Sequence, residues 1–362
     1  MSYIAAIETA LPTYCHTQEA FTGFFSNATD DETIKRKIKI IANKAGIHTR
    51  YSVLKDYSLS PAQFEFYEKD KSLMPEPSLS KRMLVYREEA IKLSVEAVKK
   101  IKNFDEIKQS VTHIITVTCT GMFAPGLDIE LIRALNLSPT IDRSSINFMG
   151  CNAAILALKN ADNICMSNPK AKVLIVCTEL CTLHFQKKYN DDYILSNMLF
   201  GDGCAAVLIA GVPGEMASNT SVKIDKFNSL ILHKGYNDMA WQLSETGFLM
   251  NLTSYVSGMI KDNIKLMLDS IHIDPSTIDY WAIHPGGKKI VDDFFEALHI
   301  DTSKASESYD VLKNYGNMSS PTVLFVLKQV IEKNTAHKKG ETIFSAAFGP
   351  GLSIETMQAS YA

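Results

Sequence analysis

Ile146-Asn147-Phe148-Met149-Gly150-Cys151-Asn152-Ala153-Ala154-Ile155 passes from a strand-like apolar run into one with helical spacing. Gly150 supplies the sharp turn between them, since it carries no Cβ to clash there. Cys151 therefore falls at the start of a helix, where unpaired N–H groups and the positive end of the helix dipole favour a thiolate. The ordinary alternative is a buried core cysteine. Outward from this stretch, strand and helix patterns alternate. Segments 111–118, 144–149 and 172–180 read as strands, and 128–137 as a helix. A second helix, 152–167, carries Ala154, Ile155, Leu158, Ala161 and Ile164 on one face. Segment 199–211 reads as a glycine turn followed by a strand. After a small polar stretch at 213–219 the order repeats, with helices at 255–271, 289–298 and 321–333 and strands at 280–283 and 342–347. The pattern predicts α/β layers in two halves, 1–213 and 214–362. Residues 1–8 read as a first strand. Segment 56–81 is charged, contains Pro75 and Pro77, and reads as a surface excursion.

The 362 residues are 46% apolar and 21% charged, an ordinary globular balance long enough for two packed halves. A formal net charge of -3 offers no basic field for nucleic acid. No apolar run is long enough to span a membrane, and the first residues lack the basic-then-apolar pattern of a signal peptide. Seven cysteines, an odd number without a CxxC pair and mostly in apolar runs, predict a reduced, cytoplasmic protein without disulfides. No spacing of His and Cys matches a metal site, so no metal is expected.

Two later stretches give Cys151 chemical company. In Tyr280-Trp281-Ala282-Ile283-His284-Pro285-Gly286-Gly287 an apolar strand ends at a histidine and breaks into a loop. In Asn314-Tyr315-Gly316-Asn317-Met318-Ser319-Ser320-Pro321 a turn-forming cluster precedes an apolar helix and offers the Asn317 amide as a donor. Taken singly, His284 reads as a structural histidine and Asn317 as a helix cap. Together with Cys151 they supply a nucleophile, a base or imidazolium partner, and an oxyanion-stabilising amide.

With MGCNAA around Cys151, LFGDG at 199–203, HPGG at 284–287, YGNMSS at 315–320 and FGPGLSIET at 348–356, nearly the whole chain resembles the type III polyketide synthases, the chalcone-synthase-like branch of the thiolase superfamily. The resemblance implies a thiolase-like, five-layered αβαβα fold of two related halves and a homodimer. It implies an acyltransferase with a Cys151, His284 and Asn317 triad and Phe200 as gatekeeper. Cys151 would carry an acyl-CoA starter as a thioester, and His284 would hold the thiolate as an ion pair. His284 and Asn317 would face the enolate left when malonyl-CoA loses CO2. Iterative Claisen condensation and closure to a phloroglucinol, resorcinol or pyrone would follow, with no cofactor beyond the coenzyme A thioesters themselves. Cys119, His184, Trp241, Met250 and Ser319 would line the pocket. Trp241 and Met250 stand where plant members carry a small residue and a phenylalanine, which favours an aliphatic over an aromatic starter. Lys37 and Lys44, in the helical stretch 33–45, would meet coenzyme A phosphates, although Ile40 replaces an arginine of plant members. Ala124-Pro125 falls in the loop that reaches the partner subunit's cavity in this family. A ketoacyl synthase III-like condensing enzyme is a competing reading, disfavoured by HPGG and FGPGL. A papain-like protease shares the order Cys, His, Asn but lacks its local cysteine signature here. A non-catalytic thiolase-fold acyl-CoA-binding protein would have no need of all three triad groups.

Overall fold

The structure, a computed structural model, describes residues 1–212, 222–253, 255–334 and 336–362. The boundary expected at 213–214 lies outside the described residues. The chain begins with β1 (Ser2–Ala10), β2 (Tyr14–Thr17), α1 (Gln18–Asn27), α2 (Glu32–Lys44) and β3 (Thr49–Ser52), which pairs with β2. After α3 (Leu79–Lys99) and α4 (Phe104–Ile107) come β4 (His113–Thr118), α5 (Leu127–Leu135), β5 (Asp142–Asn147) and α6 (Ala153–Ser167). β6 (Lys172–Leu180), α7 (Asp191–Leu199) and β7 (Asp202–Ala210) complete the first half. The second half has β8 (Val222–Ile231), a hairpin of β9 (Met239–Ser244) and β10 (Gly247–Leu252), α8 (Val256–Ser270) and β11 (Tyr280–Ile283). It ends with α9 (Lys288–Ala297), α10 (Ser306–Tyr315), α11 (Thr322–Lys333), β12 (Thr342–Gly349) and β13 (Ser353–Tyr361).

Nine strands pair in the order β11-β12-β13-β8-β1-β7-β6-β4-β5. The two halves join where β1 pairs antiparallel with β8. Alternation along each strand builds the layers, because successive side chains leave opposite faces. On β6, Val173, Ile175 and Cys177 enter a central core with α6 and α11, while Leu174 and Val176 enter an outer core with α3. On β12, Ile343 and Ala347 join the central core, and Phe344 and Ala346 join the outer core of α8 and α9. The result is helix, sheet, helix, sheet, helix. α6 lies against strands of both halves. Its buried Ala153, Ala154, Ala157 and Ala161 let it pass between the two sheet faces, and alanine is also the strongest helix former.

Segment 56–81 departs from the expected surface excursion. Tyr57, Phe64, Phe66, Tyr67 and Leu73 are buried in the outer core of the first half, with Phe24 and Phe185. The buried Asp56 carboxylate draws the segment inward, accepting the N–H groups of Glu65 at 3.1 Å and of Phe66 and Tyr67 at 2.9 Å. Glu65, Glu68, Lys69, Asp70 and Lys71 face outward from an aromatic underside. Replacing Asp56 strands those donors, and each unsatisfied buried group costs about 1–3 kcal/mol. Asp56→Ala is expected to lower stability by at least about 2 kcal/mol, read as a lower urea midpoint at unchanged m-value.

Candidate active site

Cys151 sits where β5 turns into α6. The turn needs Gly150 on two counts: its φ is +86°, and a Cβ there would stand 2.0 Å from Pro350 Cδ. Phe148 is also left-handed, at φ 59°, an uncommon state for a bulky residue. Asn152, the cap of α6, ties this corner to the second half through Nδ2 to Ser353 Oγ at 2.8 Å. His284 follows β11, and its N–H extends the ladder to Ala346 O at 2.8 Å. Asn317 lies in the turn between α10 and α11, bridged to 199–201 by Asn317 N–H to Leu199 O and Gly201 N–H to Asn317 O, both 2.9 Å. Its Oδ1 accepts the Ser319 N–H at 2.8 Å, which holds Ser319 at φ 60°.

These elements bring Cys151, His284 and Asn317 to one apolar cavity of about 620 Å³, a volume that includes space open to solvent. Cys119, Phe200, Trp241, Met250 and Ser319 line it too. His184 does not. It lies behind the wall, on an adjoining cavity of about 430 Å³ that shares Phe200, Trp241 and Met250 with the first. There Nε2 donates to Thr120 O at 2.8 Å, Nδ1 accepts the Phe248 N–H at 3.0 Å, and the ring stacks on Phe248. Burial drives His184 down to about 3, so the imidazole is a neutral strut.

A third opening of about 1040 Å³ adjoins the catalytic cavity at Leu252, Gly286 and Ile290. Lys44 lines it, as do Asp191, Asp192 and two lysines of α9 that the sequence pattern does not mark, Lys288 and Lys289, paired with Asp292 and Asp293 of the same helix. Lys37 is instead paired with Asp191 and does not line the groove. Also missed was Glu179, a buried carboxyl at the end of β6 that accepts from Cys119 N–H, Thr120 Oγ1 and Ser320 Oγ at 2.6–2.8 Å. The signal is a lone charge, after Lys172, in a strand otherwise uncharged and mostly apolar. Among the described residues no group of three His, Cys, Asp or Glu could hold a metal ion.

The thiolate expected from the helix start is opposed by burial, which pushes the Cys151 thiol up to about 11 against a hydrogen bond from Ser319. Burial also drives His284 down to about 3, and neither ring nitrogen has a partner among the described residues. The Cys151 Sγ stands 4.0 Å from Asn317 Oδ1. Alone, each group is neutral. A proton passed from Sγ to the imidazole leaves no net charge in the cavity, so the pair is penalised less than either ion.

Two family models match the chain: chalcone and stilbene synthases, N-terminal domain, over residues 1–213, and the C-terminal domain over residues 223–360. The chain is 32% identical over 336 residues to the alpha-pyrone synthesis polyketide synthase-like Pks18 of Mycobacterium tuberculosis, spanning 89% of this chain and 82% of that protein. Among solved structures, PKS-I from the brown alga Ectocarpus siliculosus superposes at TM-score 0.90 with 26% identity, over 100% of this chain and 98% of that one. The C-terminal type III polyketide synthase domain of Steely1 from Dictyostelium gives 0.87 with 26% identity, over 99% of each. The 1,3,6,8-tetrahydroxynaphthalene synthase of Streptomyces coelicolor gives 0.87 with 24% identity, over 100% of this chain and 99% of that one, a likeness of fold.

Thiolate is the form that iodoacetamide alkylates, so a lower thiol pKa moves reactivity to lower pH. If the two groups pair, wild type is expected to be alkylated at Cys151 at lower pH than His284→Ala. Superimposable pH profiles would exclude pairing.

Proposed function

The chain belongs to the chalcone and stilbene synthase family and is a type III polyketide synthase, an acyltransferase; from that premise we propose that Cys151 carries an aliphatic acyl starter through decarboxylative condensations with malonyl-CoA. The observation that carries this reading is the meeting of Cys151, His284 and Asn317 in one apolar cavity joined to a lysine-edged groove. Cys151 Sγ, its proton passed to His284, attacks the starter thioester. Coenzyme A leaves as a thiol with that proton. Malonyl-CoA then enters by the same groove, which suits a chain ending in phosphates. Its C–C bond to the carboxylate breaks, CO2 leaves, and the electron pair becomes an enolate whose oxygen faces His284 and Asn317 Nδ2. That amide here donates to Gly286 O at a long 3.2 Å, a bond it can exchange for substrate. The enolate carbon attacks the Cys151 thioester and frees the Cys151 sulfur. The Cys151 N–H, which makes no backbone hydrogen bond among the described residues, is the donor for the tetrahedral oxyanion. Ring closure to a phloroglucinol, resorcinol or pyrone follows in the same cavity.

The indole of Trp241 occupies the wall between the two inner cavities, held by Nε1–H to Cys119 O at 2.9 Å, and Met250 faces both. This narrow, apolar space suits an alkyl chain better than an aromatic ring. We also propose a homodimer. The edge strand β5 is exposed at most positions beside the exposed Met122 and Met149, and the cis Ala124–Pro125 peptide lies in the same region.

Purified protein given malonyl-CoA and acetyl- to palmitoyl-CoA starters should yield product masses that rise by malonyl minus CO2. Cys151→Ser should yield none. Coenzyme A release without extended product would overturn the reading. Trp241→Ala should open the first cavity to the second and shift the accepted starters to longer or bulkier ones at similar kcat. An unchanged starter profile would remove Trp241 from the wall.

A further inference from the structure

We propose that Arg50 is a positioning residue that fixes Phe200 and Asn317 as a single unit and so governs the malonyl step apart from starter loading. Arg50, on β3, is fully buried. Its Nη1 donates to Phe200 O and Asn197 O, both at 2.8 Å, and its guanidinium carbon lies 3.6 Å from the centre of the Phe21 ring. Nε and Nη2 are buried without a partner, and no ion pair to Arg50 is present among the described residues. The neighbouring Asp202 carboxylate is already taken by Val53 N–H, Thr182 N–H and Thr182 Oγ1. An unpaired buried cation is costly. What this one holds in return is the peptide of Phe200, by a planar group that reaches two carbonyls while stacked on a ring, which an ammonium cannot do.

The opposite edge of that peptide is the Asn317 bridge. The segment 199–201 is thus held between Arg50 and Asn317. β3 is itself tied to the end of α10 by His48 N–H to Lys313 O and Thr49 Oγ1 to Asn314 O, both 2.8 Å. The spacing admits nothing larger: a Cβ on Gly201 would stand 2.7 Å from Tyr315 O and 3.2 Å from Arg50 Cβ. Phe200 and Asn317 therefore take their directions from one knot of three segments. Cys151 and His284 take theirs from the β5–α6 turn and the β11–β12 ladder, outside it.

The inference rests on the roles given above to Asn317 and Phe200, and the experiment separates the two. In the full-length protein, starter loading is read by intact mass after brief exposure to an acyl-CoA. Malonyl-CoA decarboxylation, in which the carboxylate leaves as CO2 and a solvent proton completes acetyl-CoA, is read without starter. Arg50→Lys and Gly201→Ala disturb the knot from opposite sides. Both are expected to load within about threefold of wild type and to lose decarboxylation by about 10- to 100-fold, toward the about 100- to 1000-fold loss expected of Asn317→Ala. Wild-type decarboxylation in both variants, or parallel loss of the two half-reactions, overturns the inference while leaving the functional reading in place. Decarboxylation that survives in Asn317→Ala overturns both. Should Arg50→Lys fail to fold, Gly201→Ala decides alone.

Discussion

The carboxyl of Glu179 is the point from which the catalytic cavity is measured. It is buried at the end of β6, and burial raises it to about 7. Its donors come from the segment after β4, through Cys119 and Thr120, and from the turn before α11, through Ser320. One group thereby joins the first half to the second. The consequences spread along the chain from each donor. The Cys119 carbonyl receives the Trp241 indole, and the Thr120 carbonyl receives His184, which braces Phe248. Ser320 follows the Ser319 and Asn317 turn that presents the amide. Loss of the carboxyl would strand several buried donors at about 1–3 kcal/mol each, in the 119–120 segment that lines the cavity and in Ser320 beside the lining residue Ser319.

Burial makes the chemistry and opposes it. In the chemistry proposed for this cavity an enolate formed beside Cys151 would have to meet a thioester before it met a proton, which asks the site to exclude water. The apolar lining achieves that, and the same lining drives Cys151 and His284 toward their neutral forms when each stands alone. A site without net charge satisfies both demands. In the proposed chemistry the thiol would pass its proton to the imidazole, and hydrogen-bond donors fixed in advance, rather than mobile water, would meet the negative oxygen.

The reading of the sequence was most accurate where burial is two-sided. β6 and β11 fall on the expected residues because both are nearly continuous apolar runs bounded by polar or glycine-rich breaks. The three candidate residues stand out for a related reason: His284 directly follows a strand, and Cys151 and Asn317 lie in turns just before apolar helices. Segment 56–81 was misread because its charges outnumber its aromatic residues along the chain, while in space the aromatic residues share one side and Asp56 turns the backbone over them. Lys37 reaches the groove only through Asp191 of α7, which lines it, and no local pattern along α2 reveals that pairing. Lys288 and Lys289 were missed for the converse reason, since they reach the groove from α9, on the opposite wall.

This arrangement also locates where specificity can change without loss of chemistry. The β9–β10 hairpin carries Trp241 and Met250 into the cavity yet lies outside the nine-stranded sheet. It is held at its rim by discrete bonds: Leu79 N–H to Glu245 O, Gly351 N–H to Met239 O, and the two contacts to His184 and Cys119. The triad hangs from the sheet and from the central helices instead. A substitution on the cavity face of the hairpin therefore alters a wall without removing a bond that holds Cys151, His284 or Asn317, although the Cys119 and Thr120 carbonyls that brace that wall belong to the Glu179 network. A substitution in the Glu179 network or in the knot around Arg50 moves the reacting groups themselves. The wall that bounds the cavity and the groups proposed to react are thus held by different bonds, although both sets lead back to Glu179.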